Sequence, residues 1–133
     1  MRVANLMQTP VTTIGRDATV SEAIITLADK HISAVPVVDQ RGRMIGVLST
    51  TDVLEAESAV SDGPSRDQLF DDTTVEQLMT TRPLTIAPDA DVREAARQML
   101  YGDVHRLFVE LDGHLVGVIS RTDVVRAFAV QRA

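Results

Sequence analysis

The sequence predicts a mixed α/β (α+β) chain built from two copies of one β-α-β-β-α unit, with short sheets flanked by helices. Three observations predict it. The chain matches itself at a nearly constant offset, each half opens its first helix on a capping signal, and each half sets two short apolar runs around a Gly-containing turn.

Met7 matches Met79, Val20 matches Val92, and Glu22-Ala23 matches Glu94-Ala95, each pair 72 residues apart. Val35 and Val37 keep that offset to Leu107 and Val109. The offset then falls to 71, pairing Gly42 with Gly113, Gly46 with Gly117, Ser49 with Ser120 and Thr51-Asp52 with Thr122-Asp123. One residue is therefore lost between the blocks, most simply in the turn before Gly113, where no core contact depends on chain length.

Each half then reads in order. Thr9 to Ile14 and Arg82 to Ile86, with their Pro, Thr and β-branched residues, suit a short strand and turn. Thr19-Val20-Ser21-Glu22 and Asp91-Val92-Arg93-Glu94 have capping-box spacing, with an N-cap oxygen and a Glu at N3. Helical periodicity follows in Val20, Ala23, Ile24, Leu27, Ala28 and in Val92, Ala95, Ala96, Met99, Leu100. Val35 to Val38 and Leu107 to Val109 read as strands. After turns at Arg41-Gly42 and Asp112-Gly113, second strands run from Met44 to Leu48 and from Leu115 to Ile119, as in antiparallel hairpins. Closing helices are expected from Thr51 to Ala59 and from Thr122 to Val130. A three-stranded sheet with two helices buries one face well, so the two copies are expected to pair. The expected division is 1–60, a linker at 61–73 marked as loop by Asp62-Gly63-Pro64-Ser65, and 74–133. Thr74-Val75-Glu76-Gln77 opens a further short helix reaching Leu78-Met79.

Composition narrows the function. The 133 residues carry 13 Lys+Arg against 19 Asp+Glu, a formal charge of −6, with one Tyr, three Phe and no Trp. That balance disfavours a nucleic-acid partner, which calls for positive charge and stacking rings. No apolar run approaches the roughly 20 residues that span a bilayer, and Met1 to Asn5 leads into no secretion signal. No membrane partner and a cytoplasmic location are the expectations. Absence of Cys excludes disulfides and thiolate-bound metal. There is no Gly-x-Ser-x-Gly elbow, no P-loop and no metal-spaced His pair, so no catalytic or metal-ligating residue is assigned.

The candidate chemistry lies in Ser49-x-x-Asp52 and Ser120-x-x-Asp123. Such spacing at a helix start is a capping arrangement. It is equally an anion site, because the hydroxyl and first-turn amides face a phosphate and the Asp can accept from a ribose diol. Gly46 and Gly117 stand inside strands, where glycine signals close approach of a ligand or a packed helix. Arg121, where copy 1 has Thr50, either pairs with phosphate or lies solvated. His105 with Asp52 or Asp123 has no spacing that requires acid-base chemistry.

Gly46-Val47-Leu48-Ser49-Thr50-Thr51-Asp52 and Gly117-Val118-Ile119-Ser120-Arg121-Thr122-Asp123 both resemble the G-h-x-S/T-x-x-D motif of CBS domains. Ile32 to Asp39 resembles the preceding strand of that family, and His105-Arg106-Leu107-Phe108-Val109 its variant beginning His-Arg. The resemblance spans about residues 3–128. It implies a tandem CBS pair, a Bateman module, of two units related by a pseudo-twofold axis, with clefts that take AMP, ADP, ATP or S-adenosylmethionine. It further implies a homodimer that regulates a separate effector protein.

On that resemblance the ligand-binding residues are Thr13, Pro36, Ser49, Thr51, Asp52, Thr85, His105, Arg106, Ser120, Arg121, Thr122 and Asp123. His105 and Arg106 reach phosphate in the family, whereas copy 1 has Ser33 and Ala34; Phe108 replaces Pro36 in copy 2. Two unequal sites are expected, the one with the basic residues taking phosphate more tightly. No resident cofactor is expected. The ligand is an adenine nucleotide, with Mg²⁺ arriving beside ATP. The alternatives are a protein-interaction module with vestigial clefts, and a divalent-metal binder using the linker around Asp71-Asp72.

Overall fold

The computed structural model describes residues 1–81 and 83–132. In chain order the elements are β1 (Ile14–Gly15), α1 (Val20–Lys30), β2 (Ala34–Val38), β3 (Met44–Ser49), α2 (Thr50–Ser58), α3 (Gly63–Asp72), α4 (Val75–Leu78), β4 (Thr80–Thr81), β5 (Thr85–Ile86), α5 (Val92–Tyr101), β6 (Arg106–Leu111), β7 (His114–Ser120) and α6 (Arg121–Arg132), preceded by a 3-10 turn at Val3–Asn5. The mixed α+β architecture with two short sheets is the one expected.

In each half a short parallel strand joins an antiparallel hairpin. One sheet runs β1-β2-β3-β4, the other β5-β6-β7. The hairpin turns explain the lost residue. Leu111 pairs with His114 across a two-residue turn in which Asp112 and Gly113 both have positive φ, 53° and 80°. A turn with positive φ at both central residues matches the strand twist and favours Asp-Gly. The first hairpin spans a longer loop, in which Asp39 Oδ1 accepts from the amides of Arg41 (2.9 Å) and Arg43 (3.0 Å). Those bonds hold the Asp39 carboxyl below its ordinary range, the Arg43 amide contributing most.

The capping signals divide. Thr19 and Glu22 form the full box around the start of α1. Thr74 N–H donates to Gln77 Oε1 at 2.9 Å. At α5, however, Asp91 accepts from the amide of Arg93 at 2.8 Å, while the Glu94 carboxylate turns to Arg97 and Gln98. The expected box there is replaced by an ion pair one turn along the helix.

The segment read as a linker loop is a helix. Asp62 caps α3 by accepting from the Ser65 amide at 2.7 Å, and Pro64 falls in the first turn, where a missing N–H costs nothing. Asp-Gly-Pro-Ser is here a helix start rather than a break. The first sheet also gains a fourth strand, β4, on the β3 edge.

Compact units in space differ from the repeats in sequence. One unit is Thr12–Pro83; the other combines Met1–Val11 with Leu84–Ala133. Each repeat's leading segment packs with the other repeat: Thr80–Thr81 as strand β4, and Gln8 by an isolated bridge to Val118. Val3, fully buried, packs with Val92, Leu107 and Ile119, and its amide donates to the Ala90 carbonyl at 2.9 Å. Its counterpart 72 residues on, Val75, is fully buried with Ile14, Ala23, Val35 and Leu48. Burying a valine contributes roughly 1.5–3 kcal/mol, enough to fix where each segment packs. Arg16 and Glu76 add an ion pair within the first unit. No helix among the described residues is long and apolar enough to cross a membrane.

Candidate functional site

Both Ser-x-x-Asp motifs sit where a strand runs directly into a helix, and both form a reciprocal cap. At α2, the Asp52 amide donates to Ser49 Oγ (3.1 Å) and the Ser49 amide to Asp52 Oδ2 (2.9 Å). At α6, the Asp123 amide donates to Ser120 Oγ (3.2 Å), while the Ser120 amide and hydroxyl both donate to Asp123 Oδ2 (2.8 and 2.9 Å). The first amide of each helix is also taken: Thr50 N–H bonds the Ser33 carbonyl (2.9 Å) and Arg121 N–H the His105 carbonyl (3.0 Å). Thr51 and Thr122, both exposed, stand between these pinned amides.

A third partner, not legible from either motif, completes each carboxylate. Thr80 Oγ1 donates to Asp52 Oδ1 at 3.3 Å, and Gln8 Nε2 to Asp123 Oδ1 at 3.0 Å. Thr80 and Gln8 are 72 residues apart and follow the matched Met79 and Met7. Thr80 pairs with Val47 in the sheet; Gln8 exchanges both backbone bonds with Val118 (2.8 and 3.1 Å). The one signal for these residues is their shared offset from the matched Met7 and Met79, since neither a two-residue strand at Thr80 nor a single bridge at Gln8 has periodicity of its own.

The same segments settle the glycines. A Cβ on Gly46 would lie 2.5 Å from Met79 Sδ, and one on Gly117 would lie 2.6 Å from Met7 Sδ. The close approach is made by methionine, not by a packed helix.

The basic residues part company. Arg106, half-buried, begins β6 directly across from Ser120, where the first sheet has Ala34 across from Ser49. Cross-strand partners share a face, so one basic side chain accompanies the second motif alone. His105 is exposed and contributes its carbonyl to the start of α6. Arg121, expected to contact phosphate, has in-chain partners. Its guanidinium donates to the carbonyls of Val104 (2.9 Å) and Met99 (3.1 Å), with Asp103 at 3.8 Å. The Met99 carbonyl lies in the last turn of α5, where the helix dipole favours a cation, and the Val104 carbonyl lies just beyond that end.

Within its own unit, each of Thr13 and Thr85 lies one strand removed from the motif strand. Thr85 pairs with Phe108 in β5 and Thr13 immediately precedes β1, so β6 or β2 separates each from its motif strand. Pro36 is buried in β2 opposite Val47. Phe108, its counterpart, is 6% exposed and opposite Val118, so the substitution keeps the strand and its register. Asp71 and Asp72 close α3, exposed, with Asp71 3.4 Å from the Ser21 hydroxyl. Among the described residues no group of three or more His, Cys, Asp or Glu is placed to hold a metal.

The family model for the CBS domain matches residues 3–59 and 75–130. CBSX1, a chloroplastic CBS domain-containing protein of Arabidopsis thaliana, is 32% identical over 130 residues, covering 82% of this chain and 55% of its own. The chain spans about half the length of such curated relatives. Among solved structures, CBSX2 in complex with AMP, also an Arabidopsis thaliana protein, superposes with a TM-score of 0.83 at 27% identity, covering 99% of this chain and 98% of its own. A putative acetoin utilization protein (AcuB) of Vibrio cholerae gives 0.84 at 27% identity, covering 99% and 93%. With the family model matching both repeats, this chain belongs to the CBS-domain family and carries two CBS domains in tandem.

Proposed function

We propose that this chain is a non-catalytic regulatory module that binds an adenosine-containing ligand at its Ser-x-x-Asp helix starts. AMP, ADP, ATP and S-adenosylmethionine are the candidates, Mg²⁺ accompanying ATP, and ligand occupancy is passed to a separate effector protein. The observation that carries the reading is the doubled strand-to-helix junction. There a carboxylate able to accept from a ribose diol follows directly on an exposed first-turn residue, Thr51 or Thr122, whose peptide suits an anion. Arg106 across from Ser120 adds a positive charge for phosphate at the second motif. The similarity to CBSX2, which was solved with AMP, supports the ligand class.

Cytoplasmic residence and a homodimeric state belong to the same proposal. The second is supported by one apolar helix face repeated in both units: Ile24, Leu27, Val53 and Leu54 line a groove between α1 and α2, and Ala96, Met99, Val124 and Val125 line its counterpart between α5 and α6. Leu54 and Val125 are more than 60% exposed in the single chain, and a second copy is the partner that covers both grooves alike.

A second reading, an interaction module with vestigial sites, is favoured by the in-chain donors already on both Asp123 oxygens. Calorimetric titration with AMP separates the two. Ligand binding predicts measurable heat for the wild type, loss of one site in Asp52→Asn and of the other in Asp123→Asn, and a roughly tenfold weakening of one site in Arg106→Ala, the scale of one charge-assisted contact. Absence of heat at millimolar AMP in the wild type selects the vestigial reading.

A further inference from the structure

We infer that Gln8 gates the second Ser-x-x-Asp motif: its side-chain amide occupies an acceptor position on Asp123 that a ribose diol requires, so a ligand enters there only by displacing it. This rests on the adenosine-ligand reading above and assigns the gating to a residue outside both motifs.

Lone-pair accounting carries the inference. A carboxylate offers about four acceptor positions. On Asp123, Oδ2 takes the Ser120 amide and hydroxyl, and Oδ1 takes Gln8 Nε2. One position remains on a residue only 5% exposed, with Arg126 3.8 Å away. A diol presents two donors, so Gln8 must leave. On Asp52, Oδ2 takes the Ser49 amide and Oδ1 the Thr80 hydroxyl at 3.3 Å, leaving two positions on a half-buried group. A diol binds there with no donor displaced. The sites thus differ at Gln8 against Thr80 as well as at Arg106 against Ala34.

Gln8 is built to move alone. Its backbone is held in both directions by Val118, and the preceding Met7 packs over Gly117, yet the residue itself is exposed. Rotation of an exposed side chain is fast and leaves the edge pairing intact. Displacement by ligand therefore registers as release of one amide group, with the β7 edge unchanged.

The test is an NMR titration of the ¹⁵N-labelled chain with AMP, the Gln8 side-chain amide assigned by its loss in Gln8→Ala. The expected result is movement of that amide in step with the backbone signals of Ser120 to Asp123, with the Val118 amide unmoved. Gln8→Ala should tighten AMP about tenfold at the second motif, the scale of one charge-assisted hydrogen bond, and leave the first unchanged. Occupancy of the second motif in Gln8→Ala alone supports the gate equally. Equal affinity at the second motif in both proteins, with the Gln8 amide still, overturns the gate while leaving the ligand reading intact. No AMP-dependent shift at either motif in either protein overturns both.

Discussion

Gly46 lies beneath Met79, so close that a Cβ added to the glycine would sit 2.5 Å from the sulfur and 2.9 Å from the Thr80 carbonyl behind it. Gly117 faces Met7 in the same way, but there all three nearest atoms belong to the methionine side chain. A flexible thioether can swing aside; a backbone carbonyl paired into a sheet cannot. Gly46→Ala is therefore expected to cost about 1–3 kcal/mol, and Gly117→Ala less than about 1 kcal/mol. Urea denaturation of both variants checks the order, with Gly15→Ala, which has open space around it, as the control.

Arg121 ties the start of α6 to the end of α5 through two carbonyls. Arg121→Ala should lower stability by about 1–2 kcal/mol, and Arg121→Lys should recover little, because an ammonium lacks the planar fork that spans both acceptors. Affinity for AMP should change by less than about twofold, since the guanidinium faces Met99 and Val104. Chemical denaturation beside an AMP titration tests the pair; a stable variant with much weaker AMP binding contradicts the assignment.

Most of the fold was legible from the chain alone. Periodicity and the Thr19 box located α1, and the Asp112-Gly113 dipeptide located a hairpin turn, because each signal acts within a few residues. What stayed hidden depends on distant partners. Arg121 is spent on carbonyls 17 and 22 residues away, and Gln8 reaches a carboxylate 115 residues on. Nothing local distinguishes either from a solvated side chain. The α3 helix was obscured for another reason: Gly63-Pro64 reads as a break unless Asp62 is recognised as the cap that makes it a beginning.

Acid should loosen the first unit. Glu76 lies below its ordinary range, first through its hydrogen bond to Arg16, and Asp39 and Asp62 are lowered by backbone amides of Arg43 and Ser65. A carboxylate with a depressed folded-state pKa contributes stability that is present above its unfolded value and lost as pH falls through the folded one. Stability should hold above pH 4.5, the ordinary Glu value, and decline below it. Glu76→Gln should flatten part of that decline. Denaturation midpoints between pH 7 and 3 measure it.

If the α1/α2 and α5/α6 grooves meet a second copy, charge placed there should separate the copies. Leu54→Asp and Val125→Asp, at positions 68% and 62% exposed in the single chain, leave the core untouched. Sedimentation velocity is expected to show a dimer for the wild type and a monomer for the double variant. A monomeric wild type contradicts the expectation.

Binding of an adenosine-containing ligand by this CBS pair should be visible in its melting, read with a thermal-shift panel of AMP, ADP, ATP and S-adenosylmethionine. A ligand that binds only the folded state stabilises it by about 2.7 kcal/mol at a hundred times Kd, which for a chain of this size raises Tm by roughly 5–10 °C. At least one member of the panel should produce that rise, and Asp52→Asn with Asp123→Asn should abolish it. Unchanged melting across the panel at millimolar ligand would rule such binding out.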